Sequence, residues 1–276
     1  MEYAGKAAVV TGAGSGIGRA LVTELARRGA DVAASDVDKV GLDETVELCG
    51  RAGGKVRPYA LDVSDREAML AHADDVMRDF GRVDLMVNNA GVALAASVLE
   101  SSFEDIDWLL GINLFGVING TKAFLPHLVA SGDGHLVNIS SVFGLIGVPT
   151  QSAYCTAKFG VRGFTESLRL EMIAESVPVG VHCVHPGGIR TNIARNARVD
   201  PSVAQRSADP GKDFDRVART TPAKAATKIL KGVDKGSPRI LIGTDAYVIE
   251  AIPRLFGAHY QGAFGRLARL GIKHAK

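Results

Sequence analysis

Seven short apolar runs, separated by segments with helical periodicity, constrain the fold of this chain more than any other feature. Parallel strands covered on both faces read as near-continuous apolar runs, and strands that alternate with helices form parallel sheets. The sequence therefore predicts an α/β fold with a doubly wound sheet. The predicted strands are 6–12, 30–36, 55–63, 83–91, 134–141, 177–187 and 238–243. The predicted helices are 18–29, 64–81, 103–132 and 153–176, with Ser64 as the N-cap of the second and Glu67 completing a capping box.

The chain shows no internal repeat and no interdomain linker, which predicts a single domain. Its main body spans residues 1–245. Residues 190–222 are polar and carry Pro, Gly and Asp, so they are predicted to be an insertion that covers a substrate site. Residues 246–276 form a helical extension of the same domain. This tail could cap the pocket, pack on a neighbouring subunit or lie on a membrane surface, and packing is the favoured alternative.

Composition excludes several classes of function. The net charge is +2 and no basic run stands out, so no nucleic-acid partner is expected. Three widely spaced cysteines indicate reduced thiols in a cytoplasmic protein, and neither a disulfide framework nor a metal site. No apolar stretch approaches ~20 residues, so no integral membrane association is predicted. The apolar run at the N-terminus is too short for a signal peptide.

A glycine turn, "TGAGSGIG" at 11–18, joins the first strand to the first helix. Gly12, Gly16 and Gly18 leave no side chains where a pyrophosphate must approach the backbone. The helix that follows presents free N–H groups and a partial positive charge to that anion. Its place between a strand and a helix favours a dinucleotide site over a tight turn without a ligand.

Asp36 ends the second strand, where a carboxylate can accept hydrogen bonds from ribose hydroxyls and repel a 2′-phosphate. Its neighbours Ser15 and Val37 are not basic, so NAD is predicted over NADP. The alternative is that Asp36 only caps a loop. Asp62 and Val63 end the third strand, and "NNAG" at 88–91 ends the fourth. Asn88 and Asn89 could be turn residues alone, but their place at this edge of the sheet favours a role in supporting a ligand.

Tyr154 and Lys158 lie four residues apart and share one helix face. A free phenol has a pKa of ~10, and a nearby ammonium stabilises the phenolate and lowers that pKa. The pair is therefore predicted to transfer protons. Alone, such a pair is more often a chance feature of a solvated helix. Ser141 ends the fifth strand and could hold a substrate oxygen, and the amide of Asn113 could hold a water that connects Lys158 to solvent.

These motifs together resemble those of the short-chain dehydrogenase/reductase superfamily. The resemblance runs from residue 5 to about residue 245, and it implies a Rossmann fold with the strand order 3-2-1-4-5-6-7. It also implies NAD or NADP as cofactor and a homodimer or homotetramer built on helices 103–130 and 153–176. The matching motifs are TGxxxGxG at 11–18, Asp62, NNAG at 88–91, Asn113, Ser141, YxxxK at 154–158 and "HPGGIRT" at 185–191.

The resemblance also implies a role for each matching position. Tyr154 corresponds to the general acid/base, and Lys158 to the group that binds the nicotinamide ribose and lowers the tyrosine pKa. Ser141 corresponds to the anchor of the substrate oxygen and Asn113 to a member of the proton relay. The residues implied to bind the cofactor are Gly12, Ser15, Gly16, Ile17, Gly18, Asp36, Asp62, Val63, Asn89, Ala90, Gly91, Tyr154, Lys158, Pro186, Gly187, Ile189 and Thr191.

The substrate pocket is predicted from loops that should lie beside the hydroxyl site. Its predicted members are Ser141, Phe143, Leu94, Val148 and Tyr154, and their mostly apolar character indicates a hydrophobic alcohol or ketone. The insertion carries arginines that are read as a solvated face, with recognition of an anionic acyl thioester as the alternative. These are Arg190, Arg195, Arg198 and Arg206. His185, before the PG turn, is assigned a structural role.

The leading hypothesis is an NAD-dependent oxidoreductase that transfers a hydride between the cofactor and an apolar secondary alcohol or ketone. An NADPH-dependent ketoacyl thioester reductase is the alternative enzyme, and Asp36 argues against it. A dinucleotide-binding sensor or scaffold without turnover is the alternative of another class. The presence of Asn113, Ser141, Tyr154 and Lys158 together argues against that third hypothesis.

Overall fold

The computed structural model describes residues 2–50, 53–204 and 218–266, and a seven-stranded parallel sheet lies at its centre. The strand order is β3-β2-β1-β4-β6-β7-β9, which confirms the predicted order. A separate two-residue parallel pair, β5 and β8, was not predicted. The strands are β1 Ala7–Thr11, β2 Asp31–Asp36, β3 Val56–Ala60, β4 Leu85–Asn88, β5 Leu94–Ala95, β6 Gly134–Ile139, β7 Val179–Pro186, β8 Arg198–Val199 and β9 Arg239–Ile242.

Helices cover both faces of the sheet because successive strand residues point to opposite faces. Val10 of β1 belongs to a core with α1, α2 and α8, whereas Val9 belongs to a core with α3, α5 and α6. Helices α2 and α8 are not among the predicted ones. The helices are α1 Gly16–Arg27, α2 Lys39–Cys49, α3 Arg66–Phe80, α4 Phe103–Leu110, α5 Gly116–Ala130, α6 Ser152–Ala174, α7 Pro201–Ala204, α8 Pro222–Asp234 and α9 Thr244–Phe256.

The start of α3 differs from the prediction. Asp65, and not Ser64, is the N-cap, and its side chain accepts a hydrogen bond of 3.0 Å from the N–H of Ala68. The Ser64 hydroxyl instead donates to Asp62 at 2.7 Å. The capping-box prediction is therefore wrong by one residue, because an aspartate caps a helix at least as well as a serine does.

The helix predicted over 103–132 is divided. A π-helical turn, Gly111–Phe115, lies between α4 and α5. The combined segment Phe103–Ala130 is long and apolar enough to cross a membrane by length and composition, so the expectation that no such segment exists was wrong. Half of its most apolar window is buried in the protein, and α5 packs against β4, β6 and α3. We therefore assign it as a core helix.

The two variable regions are described in part. The insertion is described over 190–204 and 218–222, so Arg206 lies outside the described residues. The C-terminal extension begins with α9, two residues before its predicted start, and continues as a 3-10 turn, Gly257–His259, and a helical segment at 260–266. The last ten residues of the predicted extension lie outside the described part of the chain.

Candidate active site

The glycine turn has the geometry of an anion cradle. Gly12 and Gly16 have φ values of +66° and +54°, which residues with a Cβ rarely adopt. A Cβ on Gly18 would collide with the carbonyl oxygen of Gly12. Ser15 is the N-cap of α1 but makes no side-chain capping bond, and the first turn of the helix carries no acidic residue. The first N–H groups of α1 are thus not capped by a side chain, which fits the pyrophosphate of a dinucleotide.

Asn89 and Thr11 fasten this turn to the end of β4. The Asn89 amide donates to the carbonyl oxygens of Thr11 and Gly12 at 2.9 and 3.2 Å. The Thr11 hydroxyl accepts from the N–H groups of Asn89 and Ala90 at 3.0 and 3.1 Å. Asn88 points into the sheet, where its amide donates to Asn138 at 2.8 Å. The side-chain N–H groups of both asparagines are therefore used to shape the edge of the sheet, and the buried Oδ1 of Asn88 has no hydrogen-bond partner among the described residues.

Asp36 lies beside the same turn. One carboxylate oxygen accepts from the N–H of Gly14 at 2.8 Å, and the other from the N–H of Asp38 at 3.0 Å. These bonds fix the carboxylate at the end of β2, and each oxygen keeps a further lone pair for a ribose hydroxyl.

A cation near Asp36 was missed by the sequence analysis. Arg19 donates to the carbonyl oxygens of Gly14 and Gly41, and it forms an ion pair of 2.8 Å with Glu44. The guanidinium is thus held by α2, a helix that the sequence analysis did not predict. The sequence analysis considered only Ser15 and Val37 as residues whose charge could offset that of Asp36, and it left Arg19 out.

Asp62 and Val63 follow β3 at the same edge of the sheet. Asp62 accepts from the N–H of Ser64 at 2.9 Å and so orders the turn before α3. Val63 is buried, and its carbonyl oxygen accepts from Asn119 at 3.1 Å. Any contact of Val63 with a ligand would therefore involve its main chain.

The loop after β7 lies over the glycine turn. A Cβ on Gly16 would be 3.1 Å from the Cγ2 of Thr191, so the two segments nearly touch. Gly187 donates to the carbonyl oxygen of Ile242 at 2.9 Å after Pro186 ends β7, and a Cβ on Gly187 would collide with Asp245. Ile189 is 2% exposed and belongs to the core, so its side chain has no open surface for a ligand.

Tyr154 and Lys158 lie in the first two turns of α6, on one face, as predicted. The Lys158 ammonium is 5.6 Å from the Tyr154 ring centre and donates to the carbonyl oxygen of Ile139 at 3.0 Å. Lys158 is 3% exposed, and burial lowers its pKa to about 8. Burial also raises the pKa of Tyr154 to about 12, although a hydrogen bond with Ser141 lowers it. In the protein itself burial is therefore the largest influence on the pKa of the phenol, and the lowering of this pKa by Lys158 stays a prediction.

Ser141 is the N-cap of a 3-10 turn, Val142–Gly144, and its hydroxyl accepts from the N–H of Phe143 at 3.1 Å. The buried His185 fixes the main chain of this residue, because its Nδ1 donates to the carbonyl oxygen of Ser141 at 2.9 Å. Burial lowers the pKa of His185 to about 4, so the ring is neutral. The structural role assigned to His185 thus includes positioning the main chain of Ser141.

Asn113 lies in the π-helical turn and is fully buried. Its side chain donates to the carbonyl oxygen of Val92 and accepts from the Val92 N–H, both at 2.8 Å. A Cβ on Gly91 would be 3.3 Å from Asn113 Oδ1 and 3.7 Å from Lys158 Nζ, so the Gly91 turn lies between the two side chains. The amide of Asn113 is therefore engaged by Val92 through one N–H and one lone pair, and its role in holding a water stays a prediction. Short π-helical turns are nonetheless frequent at functional sites.

Apolar side chains flank Tyr154 on two sides. Phe143 meets its ring edge-on at a centroid distance of 6.1 Å. Leu94 lies in a buried cluster that packs against Tyr154 from another side. Val148 is half-buried in the loop that leads to α6, and Gly147 beside it donates to the hydroxyl of Tyr260 at 3.0 Å. Phe143 and the Leu94 cluster thus contact the Tyr154 ring, and Leu94 is a core residue at 4% exposure. The substrate pocket itself stays a prediction.

The insertion is attached to this region by Arg198. Its guanidinium lies 3.7 Å above the ring of Trp108 and 2.7 Å from Asp105, and β8 pairs with β5 beside it. Arg190 donates to the carbonyl oxygen of Ala218 at 3.0 Å. These two contacts therefore hold the insertion in place.

Comparison with known proteins decides the family. Residues 6–202 match the model of the short chain dehydrogenases. The chain belongs to the short-chain dehydrogenase/reductase superfamily. This short-chain dehydrogenase is 51% identical over 272 residues to SadH of Mycobacterium tuberculosis, which is named as an oxidoreductase; the match covers 98% of this chain and 96% of SadH. It is 38% identical to the 3-oxoacyl-acyl-carrier-protein reductase FabG of Thermotoga maritima, over 69% of this chain and 77% of FabG.

Solved structures agree with the assignment. A short-chain dehydrogenase/reductase from Burkholderia phymatum in complex with NAD superimposes with a TM-score of 0.81 at 31% identity, over 87% of this chain and 90% of that one. The chain is thus an oxidoreductase of this family with a Rossmann fold, and the family and this NAD complex support a nicotinamide cofactor. The glycine cradle and the open N-terminus of α1 fit such a cofactor.

Proposed function

We propose that this short-chain dehydrogenase oxidises an apolar secondary alcohol with NAD, or reduces the matching ketone with NADH, and that Tyr154 is the general acid/base. The observation that supports this most is the placement of Tyr154 beside Lys158 and Ser141, at the sheet edge that also holds the glycine cradle. Ligands of open α/β sheets bind at this edge.

In the oxidative direction, Tyr154 takes the proton of the substrate hydroxyl. The Ser141 hydroxyl shares a hydrogen bond with the phenol, so a substrate oxygen bound at this point can contact both groups. When bound, the nicotinamide cofactor accepts the hydride in this direction and donates it in reduction. In reduction the phenol returns its proton to the carbonyl oxygen.

The role of Lys158 is electrostatic. A tyrosine with a pKa of about 12 is a poor base near neutral pH, so the phenolate needs positive charge beside it. The buried ammonium of Lys158 supplies one such charge at 5.6 Å from the ring centre, in a site where burial weakens screening. The charge of an oxidised nicotinamide would add to it.

Asp36 supports NAD as the preferred cofactor. Its carboxylate is held at the end of β2 by two main-chain N–H groups, where it would repel a 2′-phosphate. Arg19 contacts the carbonyl oxygen of the same Gly14, and its ion pair with Glu44 weakens its attraction for a phosphate. We therefore expect tighter binding of NADH than of NADPH.

The surroundings of Tyr154 support an apolar substrate. Phe143 and Val148 provide apolar surface, and Ser141 provides the polar contact for the reacting oxygen. The similarity to FabG keeps reduction of a ketoacyl thioester as the alternative, and the arginine pair Arg190 and Arg195 beside a cavity of about 310 Å³ is the feature that favours it.

We also propose a cytoplasmic homodimer or homotetramer. Exposed apolar side chains on the π-helical turn and α6 support an interface on the predicted helices, namely Phe115, Phe159, Leu170 and Ile173. Light scattering on the purified protein measures the assembly, and Leu170→Glu should reduce it.

The proposed function is tested by assaying the purified protein in both directions. One assay follows NADH formation with NAD and a panel of apolar secondary alcohols, and the other follows NADPH consumption with ketoacyl thioesters. Oxidation of the alcohols with NAD supports the proposal. Turnover of thioesters with NADPH alone supports the alternative, and the absence of turnover with cofactor binding retained supports a sensor.

A further inference from the structure

A stripe of four lysines lies on one face of α8. Lys224, Lys228, Lys231 and Lys235 are spaced by four, three and four residues, so they project in nearly the same direction. All four are exposed, and within the described residues none forms a salt bridge with a carboxylate. The opposite face of α8 is apolar and packs into the core through residues such as Ile229 and Leu230. The lysines are therefore not needed for the fold.

These lysines line a groove between α8, β9 and α9 with a volume of about 650 Å³. Its floor is formed by Arg239, whose charge is neutralised by ion pairs with Glu166 and Glu250. Tyr247 of α9 forms the opposite wall, and its hydroxyl accepts from Lys228 at 3.0 Å. The groove thus carries an uncompensated positive charge on one wall and an aromatic ring on the other.

The exposed face of α9 adjoins the groove at Tyr247. Tyr247, Val248, Arg254 and Leu255 project from one side of this helix, and their exposures are high, with Leu255 76% and Val248 61% exposed. Arg254 is paired with Glu250 at 2.9 Å, so the lysine stripe supplies the positive charge of this surface. An apolar helix face next to such a stripe is the pattern of a helix that lies in the interfacial plane of a membrane. The two surfaces meet through the contact between Lys228 and Tyr247, so one planar partner can touch both.

We propose that this face, formed by the lysine stripe of α8 and the exposed side of α9, binds the surface of an anionic lipid bilayer. The lysines would contact phosphate-bearing headgroups, and Val248 and Leu255 would insert at the boundary of the acyl chains. A second copy of the chain is a poorer occupant, because a two-fold interface would bring the lysine stripe of one subunit against that of the other. The face is also distinct from the α5 and α6 surface assigned to the oligomer.

The test is co-sedimentation of the full-length protein with two sets of vesicles, phosphatidylcholine alone and phosphatidylcholine mixed with phosphatidylglycerol. We expect binding to the mixed vesicles only, and loss of that binding as salt is raised. Lys224→Gln/Lys231→Gln should weaken the partition coefficient by about tenfold or more. Lys55→Gln/Arg66→Gln removes the same charge from exposed positions elsewhere and should leave it unchanged.

A second pair of variants tests the apolar contact. Leu255→Ser should weaken vesicle binding, whereas Leu48→Ser, at an exposed position on α2, should not. Equal binding to both vesicle types, no binding to either, or equal losses in variant and control would overturn the proposal. A lysine variant that changes the assembly state by light scattering, with no vesicle binding by the parent protein, would assign the face to a second copy instead.

Discussion

The ammonium nitrogen of Lys158 lies 5.6 Å from the ring centre of the half-buried Tyr154, and Lys158 itself is buried. Burial moves the two pKa values apart, to about 8 for the lysine and about 12 for the tyrosine. Both shifts disfavour the charged form of the side chain. The buried ammonium of Lys158 therefore lowers the stability of the native state. The site thus trades stability for a positive charge beside the phenol.

Lys158→Met should stabilise the fold at neutral pH. The folded-state pKa of about 8 lies below the ordinary 10.5, so the charged lysine destabilises the protein below pH 8, and this effect fades between pH 8 and 10.5. The full shift corresponds to ~3 kcal/mol, and loss of the hydrogen bond to Ile139 reduces the expected gain to about 1–2 kcal/mol.

Urea unfolding of the parent and Lys158→Met at pH 7 and pH 10 measures this gain, with exposed Lys55→Met as the control. The gain should shrink at pH 10, and turnover should be lost at both pH values. A variant that is less stable than the parent at pH 7 would contradict the account.

A histidine pair should make the fold sensitive to acid. His182 is fully buried, accepts from His135 at 3.0 Å and donates to the carbonyl oxygen of Ser237 at 2.7 Å. Burial lowers the pKa of His182 to about 4, so the unfolded state binds more protons between pH 6.5 and 4 and stability falls as the pH falls through that window.

His182→Gln should reduce the slope of unfolding free energy against pH by up to ~1.4 kcal/mol per pH unit in that window. Thermal or urea unfolding between pH 7 and pH 4.5 measures it. Exposed His259→Gln provides the matched control and should keep the parent slope. An unchanged slope in His182→Gln would show that another group dominates acid unfolding.

Gly18→Ala should disrupt the cofactor cradle, because the added Cβ has no space beside the carbonyl oxygen of Gly12. We expect NADH affinity to fall by about tenfold or more, together with a loss of stability of about 2 kcal/mol. Gly163→Ala in α6 is the control: nothing lies within 4 Å of its added Cβ, and it should stabilise the helix by about 0.5–1 kcal/mol. Fluorescence titration with NADH and urea unfolding measure both, and undiminished affinity in Gly18→Ala would argue against the cradle.

Arg198→Ala should loosen the insertion without unfolding the protein. The guanidinium is half-exposed and water screens its ion pair with Asp105, so this pair contributes little to stability. Its stacking on Trp108, the only tryptophan, should make the emission spectrum change in the variant. We expect KM to rise about three- to tenfold with kcat less affected. Arg57→Ala, which breaks a similar exposed pair with Asp79, should change neither constant.

The sequence allowed prediction of the main sheet and of the residues around the phenol because both depend on local patterns. The seven strands are apolar runs, and Tyr154 and Lys158 share a helix face by spacing alone. The β5–β8 pair was missed because two-residue strands carry no periodicity. Two sets of contacts were missed because they join distant segments and leave no pattern in the local sequence. These are the contacts of Arg19 with Gly41 and Glu44, and the contact of Tyr260 with Gly147. The effect of burial, which raises the pKa of Tyr154, was missed because burial cannot be read from spacing.

The measurement that tests the central claim most directly is cofactor binding and turnover of Tyr154→Phe on one sample. The variant keeps the ring that packs against Phe143 but removes the hydroxyl that transfers the proton. Tyr59→Phe is the matched control. Tyr59 lies on β3, at the edge of the sheet, and the substitution removes a hydroxyl that is hydrogen-bonded to Asp79. We expect Tyr154→Phe to bind NADH as the parent does and to lose at least ~100-fold in kcat. Turnover near the parent value would contradict the assignment of Tyr154 as the acid/base.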